Sequence, residues 1–321
     1  MSQPPGARRW PPRPRVSSRF YKAHGLGNDY LVFERHENRG GAGATWCATP
    51  ENVARVCDPH RGVGADGIVV VASDGREEAS THMRVTLRMF NPDGSEFERS
   101  GNGLRVLASY LSSRDPTLEV VDAQVGGSEV RMRVHGQQSG TFDVSVEMGP
   151  AGIGSEAIHA DAGLFAGDRA PFTMSGPDNT LLHVVPVSIG NPHLVVLAEP
   201  SSVDFSEDRF APLGRFLSTH PAIPRGTNVQ LARASDGRAE AYIWERGVGR
   251  TSASGTSSCA VAVALVLVGA LDPGDIVVEM PGGRMQVAVD ASFDVRLRGP
   301  VESIMTGTLE PGVLATFEPG S

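Results

Sequence analysis

Short apolar or alternating stretches recur along most of this chain, and turns rich in glycine and proline separate them. The clearest example is the alternating run MRVTLRMF at residues 83–90, which a strong turn signal, Asn-Pro-Asp-Gly, follows at 91–94. The pattern predicts strands in the first half at 30–33, 67–71, 83–90, 119–125, 128–134 and 141–148. It predicts strands in the second half at 182–188, 194–197, 228–232, 239–244, 276–280, 284–289 and 294–297.

Two apolar stretches predict helices instead, one in each half. They lie at about 103–111 and at 259–271, and the longer one falls short of the roughly 20 residues needed to span a bilayer. Antiparallel strands around one buried helix per half predict the α+β class, without the alternation of a doubly wound sheet. The glycine-rich run at 62–67 precedes a strand and opens no helix, so it does not predict a nucleotide-binding loop.

The chain contains an internal repeat. Ser-Gly-Asn-Gly at 100–103 leads into the first helix, and Ser-Gly-Thr-Ser at 254–257 leads into the second. In the same way, GNDYLVF at 27–33 is echoed by GNPHLVV at 190–196. The length of 321 residues suits two such units, so the sequence predicts two copies of one domain.

The start of each predicted helix suits an anion. Glycines and small polar residues leave the first backbone N–H groups unblocked, and the helix dipole adds positive character at the same end. Two such helix starts suggest that they hold one carboxylate of a small-molecule ligand.

Composition excludes several other classes of partner. A net charge of −8, with 40% hydrophobic and 21% charged residues, is typical of a soluble globular protein and offers no basic surface for nucleic acid. Three cysteines, Cys47, Cys57 and Cys259, have no metal-ligand spacing and favour a reduced, cytoplasmic protein without a structural metal. Residues 1–19 are rich in Pro and Arg and lack an apolar signal-peptide core, so we expect a disordered tail.

Seven motifs carry a family resemblance: HGLGNDY at 24–30, GVGADG at 62–67, FNPDGS at 90–95, GNG at 101–103, GNPH at 190–193, TNV at 227–229 and ERGVG at 245–249. In this order and spacing the chain resembles the diaminopimelate epimerases, a family of cofactor-independent amino-acid racemases and epimerases. The resemblance covers about residues 20–311. It implies two pseudo-symmetric domains, each a mostly antiparallel sheet or barrel around a central helix, with a ligand cleft between them.

The expected division has four parts. A tail at 1–19 precedes a first domain at 20–149 and a second at 150–305. Residues 306–321 are expected to return to the first domain as a strand and to end in a tail.

The resemblance also identifies candidate catalytic residues, and here the chain departs from the family. The family uses two cysteines, one before each helix-start glycine, and this chain has Ser100 and Ser254 there. A thiol deprotonates readily, whereas a serine hydroxyl needs a neighbouring group to take its proton. His193 and Glu245 resemble the polar pair beside the family's cysteines, and they become the candidate acid and base.

Further positions resemble the family's substrate contacts. The side chains are Asn28, Asn91, Asn191, Asn228 and the carboxylate clamp Arg246, and the backbone N–H groups are those of Gly101, Asn102, Gly255 and Thr256.

Structural roles compete with several of these assignments. Asn28 and Asn91 also suit turns, and His193 also suits a hydrogen-bonded core histidine. Arg99 and Arg250, two further departures from the family, either point into solvent or meet a more anionic ligand.

Three functions remain open from the sequence. The first is a cofactor-independent isomerase that moves a proton next to a carboxylate or carbonyl of an amino-acid-like substrate. The second is a diverged biosynthetic enzyme that catalyses cyclisation, dehydration or double-bond isomerisation. The third is an inactive relative that only binds ligand. The expected partner in each case is a small molecule, not nucleic acid or a membrane, and a homodimer is compatible with the sequence.

Overall fold

The computed structural model describes residues 14–36, 44–73, 80–97, 99–167, 169–201 and 203–317. They form two compact units. Unit 1 comprises the chain up to Val146 together with the chain from Pro300 onward, and unit 2 comprises Glu147–Gly299. Within the described residues, no helix is both long and apolar enough to cross a membrane.

The elements of unit 1 are the strands β1 (Arg15–Gly25), β2 (Asn28–Arg35), β3 (Thr45–Cys47), β4 (Ile68–Ser73), β5 (His82–Phe90), β6 (Glu96–Phe97), β7 (Val120–Val125), β8 (Ser128–Gln138) and β9 (Thr141–Pro150), with the helices α1 (Pro50–Cys57) and α2 (Gly101–Arg114). The last residues of β9 lie in unit 2.

Unit 2 contains the strands β10 (Gly152–Ile153), β11 (Phe172–Ser175), β12 (Leu181–Ser188), β13 (Pro192–Leu197), β14 (Asn228–Ser235), β15 (Arg238–Glu245), β16 (Gly249–Thr251), β17 (Gly274–Met280) and β18 (Gly283–Val289), with the helices α3 (Ala198–Ser201), α4 (Glu207–Ser218) and α5 (Gly255–Leu267). Strand β19 (Asp294–Thr308) begins in unit 2 and ends in unit 1, where the short helix α6 (Pro311–Leu314) follows.

The strand pairing of unit 1 recurs in unit 2. In unit 1, β2 pairs parallel with β4, β4 antiparallel with β5, and β5 parallel with β7. In unit 2, β13 pairs parallel with β14, β14 antiparallel with β15, and β15 parallel with β17. Helix α2 precedes β7 and helix α5 precedes β17, so the structure confirms the predicted internal repeat and the α+β class.

Each of the two predicted helices is largely buried within its own unit. Helix α2 packs on β1, β2 and β8, and helix α5 packs on β14, β15 and β18. Eleven residues of α5 are buried, from Gly255 to Val266, as its uniformly apolar sequence requires. Four shorter helices, α1, α3, α4 and α6, were not predicted.

The expectation of a disordered tail at 1–19 is wrong for residues 15–19. Residues 15–19 belong to β1, which pairs with β2, β3 and β19. Val16 is fully buried in the core cluster of unit 1, so burial of alternate apolar side chains stabilises this polar-looking segment as a strand. Residues 1–13 lie outside the described residues.

The end of the chain returns to unit 1 as a strand. The segment from Glu302 to Thr308 pairs antiparallel with β1. The return begins before residue 306, because β19 already starts at Asp294, and the strand ends at Thr308. Residues 318–321 lie outside the described residues.

Candidate active site

The first turn of α2 begins at Ser100, and we call Ser100–Gly103 the α2 mouth. Ser100 is the N-cap, and its Oγ accepts a hydrogen bond from the N–H of Gly103 at 3.1 Å. The first intrahelical bond runs from Leu104 N–H to the Ser100 carbonyl at 3.0 Å. The N–H groups of Gly101 and Asn102 therefore have no helical acceptor, and no acidic residue occupies this turn. The α2 mouth thus has the donors that an anion needs.

Asn28 is brought to this mouth by β2. The Asn102 Nδ2 donates to Asn28 Oδ1 at 2.8 Å and to the Asn28 carbonyl at 2.7 Å. Asn28 is half-buried, whereas Asn102 is only 6% exposed. The two predicted residues therefore share one network, and Asn28 is more than a turn former.

The residue after Asn28 anchors this strand to the glycine-rich loop. Asp29 Oδ1 accepts from the N–H of Asp66, and Asp66 Oδ2 accepts from the N–H of Asp29, both at 2.9 Å. Lys22 Nζ lies 2.7 Å from Asp29 Oδ2 and donates to the Gly64 carbonyl at 2.6 Å. Burial raises the pKa of Asp66, although the hydrogen bond from the Asp29 N–H opposes that rise. This cluster fixes the start of β2, so the described contacts of Asp66 are structural.

Asn91 remains within its own turn. Its Nδ2 donates to Ser95 Oγ at 2.9 Å, and its backbone N–H donates to the Ser95 carbonyl at 2.8 Å. The described contacts of Asn91 therefore fit a turn-forming role, and its assignment as a substrate contact stays a prediction.

The α5 mouth, Ser254–Ser257, has the same backbone plan as the α2 mouth. Ser258 N–H donates to the Ser254 carbonyl at 3.0 Å, and the first turn carries no acidic residue. The Ser254 side chain, unlike that of Ser100, makes no capping hydrogen bond. The N–H groups of Gly255 and Thr256 have no helical acceptor, so this mouth also suits an anion.

His193 lies at the centre of a buried network beside the α5 mouth. Its Nε2 donates to Asn191 Oδ1 at 2.8 Å, and its Nδ1 accepts from Gln230 Nε2 at 3.1 Å. Gln230 Nε2 also donates to Ser257 Oγ at 3.0 Å, and Asn191 Nδ2 donates to Thr256 Oγ1 at 3.4 Å. Two strands, β13 and β14, are thereby tied to the first turn of α5.

The environment of His193 keeps its ring neutral. The side chain is fully buried, and desolvation followed by the charge of Arg246 lowers the pKa of His193 to about 3. Both ring nitrogens are engaged by amide groups. With both nitrogens bonded in this way the ring suits a structural role, and the assignment of His193 as acid or base stays a prediction.

Asn228 and Arg246 are joined in unit 2. Asn228 Oδ1 accepts from the N–H of Arg246 at 2.9 Å, and Asn228 Nδ2 donates to the Pro192 carbonyl at 3.1 Å. Asn228 is 7% exposed, so its amide serves first to connect β13, β14 and the end of β15. The Arg246 side chain is exposed, and its Nη1 donates to the Arg225 carbonyl at 2.6 Å. Its remaining donors suit a carboxylate.

Glu245 is the last residue of β15 and is half-buried. Its carbonyl accepts from Val248 N–H at 3.2 Å, which closes the turn that carries Arg246. Arg250 Nε, further along, lies 3.0 Å from Glu207 Oε1 in the first turn of α4. The Arg250 side chain is exposed as well as paired, which fits the solvent-facing alternative, and a role toward an anionic ligand stays a prediction.

The three cysteines take no part in either mouth. Cys57 and Cys259 are buried, and Cys259 lies within α5, five positions after Ser254. Burial, followed by the nearby Asp29 and Asp66, raises the pKa of Cys57 to about 12. Neither helix mouth therefore offers a thiol.

Three polar side chains near the two mouths were not predicted from the sequence: Arg105, Gln230 and Ser257. Each is completely buried. Arg105 and Gln230 stand among apolar residues, which was the available signal, because a buried polar group needs partners. Ser257 lies in a run of hydroxyl residues and carried no such signal.

Solved structures share this fold. A hydroxyproline epimerase from Agrobacterium vitis, solved with bound trans-4-hydroxy-L-proline, matches with a TM-score of 0.61 at 13% identity over 96% of this chain and 95% of that one. A phenazine biosynthesis protein from Bacillus anthracis matches with a TM-score of 0.57 at 14% identity over 93% and 99%. The fold is therefore one that racemases and epimerases use.

Sequence comparisons identify the family. The model of the family described as diaminopimelate epimerase matches residues 20–153 and 185–307. A diaminopimelate epimerase from Synechococcus elongatus is 34% identical over 315 residues, which cover 92% of this chain and 99% of the relative. The chain belongs to the diaminopimelate epimerase family, and it is an isomerase.

Proposed function

We propose that this chain is a cofactor-independent isomerase that transfers a proton at a carbon next to the carboxylate of an amino-acid-like substrate. One observation carries the proposal: both helix mouths keep unpaired backbone donors and a leading hydroxyl at the positions of the family's catalytic cysteines. In unit 1 the N–H groups of Gly101 and Asn102, and in unit 2 those of Gly255 and Thr256, would each suit a carboxylate or the enolate-like charge that develops.

The two serines cannot replace two thiols without help. A serine hydroxyl becomes a base only when another group takes its proton. Because His193 is buried, neutral and doubly hydrogen-bonded, Glu245 is the better candidate for that group. We assign proton transfer to Glu245 with Ser100 and Ser254, and we assign His193 to positioning Asn191.

Substrate binding would rest on the remaining predicted residues. Arg246 would clamp a carboxylate with its free guanidinium donors, and Asn28 and Asn191 would contribute amide groups beside the two mouths. Asn91 and Asn228 would contact the substrate through the donor and acceptor sites of their amides that the structural hydrogen bonds do not use. Similarity to named diaminopimelate epimerases makes diaminopimelate the first substrate to test.

A second candidate is a changed reaction on the same scaffold, such as cyclisation, dehydration or double-bond isomerisation. The absence of a thiol from both helix mouths favours it, because the family's two-thiol exchange is not available to this chain. A ligand-binding relative without turnover is the third outcome.

Inversion of configuration tests the first proposal. Purified protein is incubated with single stereoisomers of a panel of amino acids that includes diaminopimelate, and chiral chromatography follows the products. We expect one substrate to give its epimer. Glu245→Gln should lower that rate by about a hundredfold or more, the usual contribution of a general acid or base.

A matched substitution in unit 1, His60→Gln, changes an exposed side chain and should leave the rate unaltered. An unaltered rate in Glu245→Gln would remove Glu245 from the mechanism. Binding without inversion of any substrate would favour the second or third candidate.

A further inference from the structure

Arg105 is the largest fully buried side chain of the described chain, and it lies one turn beyond the α2 mouth. Its Nη2 donates to Asn102 Oδ1 at 3.0 Å, and its Nη1 donates to the Pro300 carbonyl at 3.1 Å. Pro300 opens the segment that returns to unit 1. A buried guanidinium is costly unless it is hydrogen-bonded, so these acceptors are a requirement of the fold.

The hydrogen bonds continue from Arg105 through Asn102 to Asn28. We call these three side chains the Arg105 relay. Asn102 Nδ2 donates both to the side-chain oxygen and to the carbonyl of Asn28. The relay therefore runs from the interior of unit 1 to a half-buried side chain beside the α2 mouth.

Arginine imposes a direction on every bond in this relay. A guanidinium has donors only, so the group of Asn102 that faces it must be the oxygen. The amide nitrogen of Asn102 then faces Asn28, and the group of Asn28 that faces it must be its oxygen. What Asn28 has left is its Nδ2, which has no hydrogen-bond partner among the described residues.

Strand β1 packs closely against the relay at Gly25. A Cβ on Gly25 would lie 2.2 Å from Asn102 Oδ1 and 2.8 Å from Arg105 Nη2. Gly25 thus lets the strand approach the relay closely, and a larger residue would displace it.

We propose that Arg105 is a positioning residue that fixes Asn28 as a hydrogen-bond donor, so that the ligand group received at that point of the α2 mouth is an acceptor oxygen, such as one of a carboxylate. The inference deepens the proposed function and rests on it for the identity of the substrate. The direction of the relay itself does not depend on any reaction.

Asn102→Asp changes the hydrogen-bonding groups of this side chain and keeps its size. The introduced carboxylate still accepts from Arg105, and it gains an ionic partner there, but it has no donor for Asn28. The Asn28 amide must then turn, so that its Nδ2 faces the introduced carboxylate and its oxygen faces the ligand. Arg105→Met removes the origin of the direction, and Arg114→Met, an exposed position on the same helix, is the control.

Side-chain amide hydrogen exchange, measured by ¹⁵N NMR on ligand-free protein, gives the first result. In the wild type the Asn102 NH₂ should be protected and the Asn28 NH₂ should exchange quickly. Asn102→Asp should make the Asn28 NH₂ protected, and Arg114→Met should change neither. Protection of the Asn28 NH₂ in the wild type would overturn the inference, whether or not the protein proves to be an isomerase.

Titration with acetate, a minimal carboxylate probe of Asn28 Nδ2, gives the second result. Asn28→Ala should lower acetate affinity about tenfold in the wild type, the loss expected for a hydrogen bond to a charged group. In an Arg105→Met background, where the amide is no longer held as a donor, the same change should lower it by no more than about twofold. An equal loss in both backgrounds would also overturn the inference. If the proposed function alone is wrong, the protein will show no turnover, but the Asn28 and Asn102 amides will still exchange as predicted for the wild type.

Discussion

The Oγ of Ser100 accepts a hydrogen bond from Gly103 N–H at 3.1 Å, whereas Ser254, at the equivalent place before α5, makes no capping bond. The two mouths share backbone geometry but differ in what their hydroxyl does. Ser100 contributes to helix stability, and the hydroxyl of Ser254 is left for other partners.

This difference predicts unequal costs of removing the two hydroxyls. Ser100→Ala should lower the free energy of unfolding by about 1 kcal/mol, the usual cost of losing an N-cap, because it leaves the Gly103 N–H without its acceptor. Ser254→Ala should change it by less than about 0.5 kcal/mol. Denaturant unfolding of both variants measures the difference, and equal losses would show that both hydroxyls act as caps.

The uncapped α5 mouth should also lower the pKa of a thiol placed there. In Ser254→Cys the unpaired N–H groups and the helix dipole favour the thiolate. We expect it to react with iodoacetamide at pH 7 faster than free cysteine does, in a pH profile whose midpoint lies below about 8.5. The wild type, with its three native cysteines, provides the background rate. A midpoint above that of free cysteine would show that this mouth does not stabilise an anion.

His193 should make the protein less stable in mild acid. Its pKa is about 3 in the folded protein and about 6.5 in the unfolded chain, so the unfolded chain binds the extra proton as the pH falls. The stabilising contribution is complete above pH 6.5 and is lost between about 6.5 and 3.

Between pH 7.5 and 5.5 the free energy of unfolding should fall by about 1 kcal/mol more in the wild type than in His193→Gln. His60→Gln, which alters an exposed ring, should retain the wild-type dependence. The same pH dependence in His193→Gln and the wild type would contradict a neutral, buried His193.

Gly25 should tolerate no side chain. A Cβ there would lie 2.2 Å from Asn102 Oδ1, so Gly25→Ala must displace the Arg105 relay and should cost about 2 kcal/mol or more. Gly136→Ala, in the exposed part of β8 with nothing within 4 Å of the added Cβ, should change stability by less than about 0.5 kcal/mol. A Gly25→Ala variant as stable as Gly136→Ala would show that the relay can move freely.

Much of the fold could be predicted from the alternation of apolar and polar residues and from the repeated motifs of the two halves. Both patterns depend on which side chains face the core of each unit. Strand β1 escaped prediction because Arg15, Ser17 and Arg19 alternate with the buried positions, and these polar residues resemble the preceding arginine-rich tail. Helix α4 escaped because Pro212 interrupts it, although its buried positions, Phe210, Leu213 and Leu217, follow helical spacing.

The candidate site was predictable only as a set of residues. The motifs identified Asn28, Asn191 and the two mouths, but they did not say which groups bond to each other. The buried partners Arg105 and Gln230 decide those bonds, and their roles depend on distances between strands and helices that no local pattern contains. His193 is an example. Its motif suggested a base, whereas its hydrogen bonds to Asn191 and Gln230 hold the ring in place and its burial keeps the ring neutral.

Exchange of the α-proton is the measurement that tests the central claim most directly. Proton NMR in D₂O, with a panel of amino acids including diaminopimelate, follows the α-proton signal and the stereochemistry together. We predict loss of the signal with inversion for one substrate, and loss of that exchange in both Ser100→Ala and Ser254→Ala. No exchange with any amino acid, from protein that binds a carboxylate ligand, would contradict the claim that this chain moves a proton next to a carboxylate.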